Sequence, residues 1–149
     1  MPSSTVMPAA IKAGRKSVLV SGASFAGLAT AYWLNRLGHS VTIVETASEL
    51  RRGGTPVDIE GETIEILSRM GLANAVRAKA LPPRGFEFKD ADDATLGSIG
   101  IGNEPEAHER YEIHRDDLLD ILSAAVKDEV EILFGQSIVE LDRAETACR

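Results

Sequence analysis

The sequence lacks the cysteines that a disulfide framework or a cysteine-based zinc site needs. Its one cysteine, Cys148, has no second thiol in the chain to pair with. We therefore expect a protein of a reducing compartment, the cytoplasm. His108 and His114 lie in an acidic stretch without the spacing of a metal site, so no bound metal is expected.

Clustered positive charge is also lacking. Lys and Arg number 16 against 23 Asp and Glu, which gives a formal net charge of −7 at pH 7. Without a long basic stripe, nucleic acid is not an expected partner. The uncharged stretch from Ser17 to Asn35 has the outline of a signal peptide or membrane span. Small residues such as Gly22 and Gly27 interrupt its hydrophobicity, so we expect neither.

The composition that remains is that of a globular protein. The chain has 149 residues, of which 44% are hydrophobic and 26% charged, a length and balance that favour a single domain. We expect a disordered leader over residues 1–16, a folded domain over 17–142 and an irregular tail over 143–149.

The first regular pattern is that of a βαβ unit. Val18–Val20 is a short apolar run typical of a strand buried on both faces. Phe25–Leu37 carries apolar residues at helical spacing and is followed by the helix-stopping Gly38. Val41–Val44 is a second apolar run that ends at Glu45. This order predicts a Rossmann-like βαβ dinucleotide-binding fold with a parallel sheet.

The rest of the chain mixes helical and strand patterns. In order, they predict a loop (Thr46–Ile59), helices (Glu62–Met70 and Ala73–Lys79), a hairpin (Gly85–Lys89 with Thr95–Ile101), an acidic loop (Asn103–Glu109), a helix (Arg115–Val126) and strands (Glu129–Phe134 and Ser137–Leu141). The expected fold class is α/β, a three-layer fold with a parallel sheet and an added β-hairpin.

A glycine fingerprint connects the first strand to the first helix. The segment GASFAG follows the dinucleotide-binding pattern GxGxxG with serine at the second glycine. Gly22 permits a tight turn, Ser24 keeps the backbone close to a pyrophosphate, and Gly27 allows close packing of helix and strand. Phe25 and Ala26 open the helix, whose N-terminus attracts phosphate.

Glu45 ends the second strand, where an acidic residue accepts the hydroxyls of a ribose. Its charge disfavours a 2′-phosphate, so NADP is not expected at this particular site. The alternative interpretation is a βαβ unit whose small residues serve packing only. The strand, the turn, the helix and the acid together favour nucleotide binding.

Four segments carry a family resemblance: VLVSGASFAGLATAYWLNRLGHSVTIVE, RRGGTPVDIEG, EILSRMGL and EIHRDDLLDIL. In this order, between Ser17 and Asp142, they resemble the N-terminal FAD-binding part of FAD-dependent aromatic monooxygenases. These are enzymes of the p-hydroxybenzoate hydroxylase type, which includes tetracycline-modifying and polyketide hydroxylases. The resemblance implies FAD as cofactor, NADPH or NADH and O2 as co-substrates, and a small aromatic or polyketide-like substrate in the intact enzymes.

The resemblance also implies which residues bind the cofactor, but it assigns no catalytic side chain. The Arg52–Gly54 loop would lie near the flavin ring system, Arg115 would reach FAD, and the backbone of Ile138 would meet adenine. Thr46 stands where the family usually has arginine. Arg52 as a solvated loop charge and Arg115 as a helix-start residue remain alternatives. The implied set is Gly22, Ser24, Phe25, Ala26, Gly27, Glu45, Thr46, Arg52, Gly53, Gly54, Arg115 and Ile138.

The enzymes of this family are much longer than this chain, so the resemblance implies an incomplete fold. In their strand order the first strand is central, with its second neighbour beyond residue 149. Val18–Val20 would then present an unpaired edge, which permits self-association. Two other functions stay open: an NAD-dependent dehydrogenase domain, and a non-catalytic nucleotide-binding or interaction module.

Overall fold

The computed structural model describes residues 14–82, 85–99 and 110–142. Most of the predicted leader, the acidic loop Asn103–Glu109 and the tail 143–149 lie outside these residues. The elements in chain order are β1 (Ser17–Ser21), α1 (Phe25–Arg36), β2 (Ser40–Glu45), β3 (Val57–Glu60), α2 (Glu62–Arg69), α3 (Ala73–Ala78), β4 (Phe86–Lys89), β5 (Thr95–Ile99), β6 (Arg110–Ile113), α4 (Arg115–Val126) and β7 (Glu131–Phe134).

The chain divides into two compact units. Unit 1 is formed by Met1–Arg51 together with Leu122–Arg149, and unit 2 by Arg52–Ile121. Unit 1 holds the βαβ pattern and β7. Unit 2 holds β3 to β6 and α2, α3 and the first half of α4.

The sheet of unit 1 is parallel and has the order β1-β2-β7. Val18 lies opposite Val41, and Ile43 lies opposite Ile132. The predicted βαβ unit and its parallel sheet are confirmed. The core of this unit consists of Ala23, Leu28, Ala31, Val41, Ile43, Val44, Leu122, Val126 and Val130.

The two strands of the βαβ unit differ in burial. In β2, which has a neighbour on each side, Val41, Ile43 and Val44 are buried, as predicted. In β1 the prediction of burial on both faces is wrong, because Leu19 is 52% exposed. The helix α1 packs on the face of Val20, and the side chain of Leu19 projects from the opposite face.

Unit 2 contains an antiparallel pair that the sequence analysis did not predict. Strand β3 pairs with β6, with Val57 opposite Ile113 and Glu60 opposite Arg110. The interpretation of Thr46–Ile59 as a loop throughout is therefore wrong at its end. Each strand has only four residues, and its partner lies about fifty residues away, so local pattern indicates the pairing weakly.

The hairpin of β4 and β5 is confirmed, with a register shift between Phe88 and Lys89. The second strand, predicted over Thr95–Ile101, is observed over Thr95–Ile99, and residues 100 and 101 lie outside the described residues. The core of unit 2 lies among its other elements and consists of Ile59, Leu67, Met70, Val76, Ile113, Leu118 and Leu119.

The predicted strand Ser137–Leu141 is wrong. Residues 136–142 have neither helix nor strand and are exposed. Gly135 has a φ of +67° and donates its N–H to the Ala47 carbonyl at 2.9 Å, and Gln136 donates to the Glu45 carbonyl at 3.0 Å. These bonds turn the chain at the end of β7, so the alternating apolar residues that follow do not extend the sheet.

Candidate functional site

The fingerprint segment forms a tight turn at the carboxyl end of β1. Gly22 has a φ of +100°, a conformation that side chains disfavour. Its N–H donates to the Val44 carbonyl at 2.7 Å, which ties the turn to the end of the neighbouring strand β2. The first glycine therefore has the role that the sequence predicts, a sharp entry from strand into helix.

Gly27 lies in the first turn of α1 and brings the helix against this turn. A Cβ added at Gly27 would overlap the carbonyl oxygen of Gly22 and would reach within 3.7 Å of the Val20 side chain. A glycine is therefore required here by close approach of helix and strand. This geometry is the physical reason for the third glycine of the fingerprint.

Ser24 is the N-cap of α1 and has extended backbone, with φ −82° and ψ 179°. Its carbonyl accepts the N–H of Leu28 at 2.9 Å, while among the described residues its side chain makes no capping hydrogen bond to the helix. Phe25 and Ala26 follow as the first helical residues, and no acid stands in this turn. A helix N-terminus of this kind attracts an anionic group.

Glu45 is the last residue of β2, and its carboxylate accepts hydrogen bonds from two backbone N–H groups. Its Oε2 accepts the N–H of Ala23 at 2.9 Å, and its Oε1 accepts the N–H of Ala47 at 2.9 Å. The hydroxyl of Thr46 lies 3.2 Å from Oε1. Sequence reasoning missed these backbone partners, since a main-chain amide leaves no trace in residue types.

These hydrogen bonds stabilise the ionised form of Glu45. The N–H groups of Ala47 and Ala23 stabilise the carboxylate and lower the pKa of Glu45 below its ordinary value. Partial desolvation opposes this effect, and the Thr46 hydroxyl and the charge of Arg51 add to it. Glu45 is therefore an ionised hydrogen-bond acceptor next to the glycine turn at neutral pH.

The predicted site residues of unit 2 lie at or next to the first two turns of α4. The guanidinium of Arg52 binds both carboxylate oxygens of Asp120, at 2.7 and 3.2 Å. The N–H of Gly53 donates to Asp116 Oδ1 at 2.7 Å. Arg115 lies beside Gly54, since a Cβ added at Gly54 would be 3.0 Å from Arg115 Cδ.

Asp116 and Asp120 are therefore loop contacts that the sequence analysis did not identify. The two acids are four residues apart, about one helical turn, and this spacing was a signal that could have pointed to a common partner. Arg52 takes part in an ion pair, which neither the flavin-contact interpretation nor the solvated-charge alternative anticipated. Ile138 lies in the irregular segment after Gly135 and is 45% exposed.

The comparisons with known proteins agree with this geometry. Residues 15–147 match the family model for the FAD binding domain. An uncharacterised protein of Mycobacterium tuberculosis is 42% identical over 133 residues, which cover 85% of this chain and 35% of that protein. The FAD-dependent monooxygenase asL4 of Sarocladium schorii is 36% identical over 126 residues, 81% of this chain and 29% of that protein.

A solved structure shows the same fold. The tetracycline destructase Tet(55) superposes with a TM-score of 0.73 at 31% identity, over 88% of this chain and 32% of that one. This chain belongs to the FAD binding domain family. It corresponds to the FAD-binding part of flavin-dependent monooxygenases and spans about a third of the length of the curated relatives it matches.

Two further features of the described residues bear on partners. None of their helices has the length and apolar character required to cross a lipid bilayer. They also contain no group of three or more His, Cys, Asp or Glu residues placed to hold a metal ion. His108 lies outside the described part of the chain.

Proposed function

We propose that this chain supplies the cofactor site of a monooxygenase that hydroxylates a small aromatic or polyketide-like molecule, with residues 17–142 as the FAD-binding domain. The observation that carries the proposal is the Gly22 turn held by Glu45 in a chain of the FAD binding domain family. When bound, FAD supplies the redox chemistry by which such enzymes use NADPH or NADH and O2.

The residues of unit 1 fit the pyrophosphate and adenosine of FAD. The positive φ of Gly22 and the close approach at Gly27 keep the turn open to an incoming phosphate. Ser24 has a hydroxyl suited to donate to that phosphate. The N–H groups at the start of α1, including those of Phe25 and Ala26, face an anion with partial positive charge.

Glu45 is proposed to accept a ribose hydroxyl through Oε2. A carboxylate has about four acceptor positions, and three are used by Ala23, Ala47 and Thr46. Two of these three bonds are made to Oε1, so Oε2 keeps the greater remaining capacity. Thr46 would act indirectly, by orienting the carboxylate.

The other cofactor contacts remain proposals that rest on the family resemblance. They are a contact of the Arg52-Gly53-Gly54 backbone with the flavin, a contact of Arg115 with FAD, and a backbone contact of Ile138 with adenine. The position of Arg115 at the N-terminus of α4 supports its part in the proposal.

A titration with FAD, followed by quenching of flavin fluorescence, tests the proposed function. We expect saturable binding that weakens by about tenfold in Glu45→Gln, the loss of one charge-assisted hydrogen bond. Glu131→Gln is the matched control, since Glu131 is an exposed acid at the opposite end of the same sheet. It should bind FAD as the unchanged chain does.

The same titration separates the alternatives. Tighter binding of NAD than of FAD would contradict the proposal and support a dehydrogenase domain. Absence of FAD binding by a folded chain would assign the cofactor site to the longer proteins of the family. Equal loss in Glu45→Gln and Glu131→Gln would show that the effect of Glu45 is not local.

We further propose that the chain self-associates through β1. Within the described residues β1 pairs with β2 alone, and Leu19 beside its open edge is 52% exposed. Such an edge is a template for another strand. Sedimentation at increasing concentration should show a second copy binding, and Leu19→Lys should weaken it. A monomer at every concentration would contradict this proposal.

We propose a cytoplasmic location, which is supported by the single cysteine of the chain. A fluorescent fusion of the full chain, fractionated with compartment markers, tests it. Recovery with an exported or membrane fraction would contradict it.

A further inference from the structure

Two acidic residues of α4 hold two successive residues of a glycine loop. Asp116 accepts the N–H of Gly53 at 2.7 Å, and Asp120 forms a two-pronged ion pair with Arg52. Residues four apart lie on one face of a helix, so both carboxylates project toward the same loop. The contacts join parts of the chain more than sixty residues apart, and they lie within unit 2.

The loop reaches this position only because it contains glycine. Gly53 and Gly54 have φ of +90° and +106°, values that a side chain disfavours. The backbone of Gly54 approaches so closely that a Cβ would lie 3.0 Å from Arg115 Cδ. Three successive loop residues are thus placed against the first two turns of α4.

We infer that Asp116 and Asp120 are positioning residues that hold the Arg52–Gly54 loop and the stem of Arg115 in one conformation. The connection to the cofactor rests on the proposed function, in which this loop and Arg115 contact FAD. Arg52 then acts through its ion pair with Asp120, and the glycine backbone is the part of the loop offered to a ligand.

The electrostatics of the pair support this arrangement. Arg52 lowers the pKa of Asp120, so the carboxylate stays charged at neutral pH. Each side chain of the pair is 54% exposed, and a single exposed pair contributes little to overall stability. We therefore expect the loop to respond to loss of these acids much more than the whole fold does.

Limited trypsin digestion of the full chain measures how often the Arg52–Gly54 loop opens, and it needs no cofactor. Trypsin cleaves after Arg51 and Arg52, and cleavage at a folded site tracks the population in which the loop is open. We expect Asp116→Asn and Asp120→Asn to be cleaved there about three- to tenfold faster, because the amide keeps an acceptor oxygen but loses the charge that strengthens each contact.

Asp117→Asn is the matched control for both variants. Asp117 lies on the same helix and forms an ion pair with Lys79 at 3.0 Å. Its removal should leave cleavage after Arg51 and Arg52 unchanged. Asp120→Glu retains the charge and should restore slow cleavage. Circular dichroism confirms that each variant is folded before digestion.

Titration with FAD then separates this inference from the proposed function. We expect weaker FAD binding in Asp116→Asn and Asp120→Asn, and unchanged binding in Asp117→Asn. If the unchanged chain does not bind FAD, the proposed function fails, and digestion still decides whether the acids hold the loop. Equal cleavage of all variants would show that Asp116 and Asp120 do not hold the loop. Faster cleavage of Asp116→Asn and Asp120→Asn with unaltered FAD binding would show that the held loop does not contribute to cofactor binding.

Discussion

At the scale of residues, Glu45 shows how an acid proposed to bind the cofactor also organises the backbone around it. Its two oxygens accept the N–H groups of Ala23, in the glycine turn, and of Ala47, after the end of β2. Glutamate is required for this double contact because both oxygens must accept. A glutamine has one acceptor oxygen and one NH₂ donor, so it satisfies only one of the two amides.

We predict that Glu45→Gln lowers the free energy of unfolding by about 1 kcal/mol at neutral pH. The folded pKa of Glu45 lies below the ordinary 4.5. Its stabilisation is therefore present above the unfolded pKa and is lost as pH falls through the folded pKa. Urea denaturation should show the two proteins converging in acid. A pH-independent difference would contradict this prediction.

Gly27→Ala tests the close approach of α1 to the glycine turn. The added methyl would overlap the Gly22 carbonyl, so we predict a loss of about 1–3 kcal/mol in unfolding free energy. Gly97→Ala is the control, because a Cβ there meets nothing within 4 Å. Thermal unfolding compares them, and equal midpoints would show that the turn adjusts freely.

At the scale of elements, local patterns identified the helices and missed one pair of strands. The helix Arg115–Val126 and the starts of the helices at Phe25, Glu62 and Ala73 are observed where the sequence predicts them. Helices depend on neighbours three and four residues away, which the sequence displays directly. The pairing of β3 with β6 depends on a distant partner, which local pattern does not display.

Ile113→Ala tests the structural importance of the unpredicted strand β6. Ile113 is fully buried opposite Val57, so we predict a loss of about 2–4 kcal/mol in unfolding free energy. Ile99→Ala in β5 removes the same atoms from a residue that is 61% exposed and should change stability by less than about 0.5 kcal/mol. Urea midpoints of the two variants measure the difference. Similar losses would contradict burial as the cause.

At the scale of the whole molecule, the chain carries the family match across both of its compact units. The match covers residues 15–147, whereas Arg52–Ile121 forms a unit of its own. The fingerprint and Glu45 belong to unit 1, and the glycine loop with Arg115 belongs to unit 2. The single FAD-binding domain over residues 17–142 is therefore proposed as a functional unit, which contains parts of both compact units.

Binding of FAD should stabilise the chain by mass action. A ligand that binds only the folded state at a hundred times its Kd adds about 2.7 kcal/mol. We predict that FAD raises the midpoint of thermal unfolding of the unchanged chain. At the same FAD concentration the increase should be smaller in Glu45→Gln. Differential scanning calorimetry measures both. An equal increase would place the bound cofactor away from Glu45.

The sequence by itself determined the family of the protein and the positions of the residues that we propose to bind phosphate. The spacing of Gly22, Ser24, Gly27 and Glu45 follows from local geometry, a strand, a turn and a helix within one short segment. The family resemblance over nearly the whole chain is likewise a property of the sequence. These features depend on residue types at short spacing, so they can be read before any fold is known.

The tertiary structure alone decided what these residues contact. It showed that Glu45 holds two backbone amides, that Arg52 is paired with Asp120, and that the chain leaves the sheet after Gly135. Each of these facts depends on a backbone amide, a distant side chain or a positive φ. Such contacts arise when distant segments pack together, and residue types in sequence do not specify them.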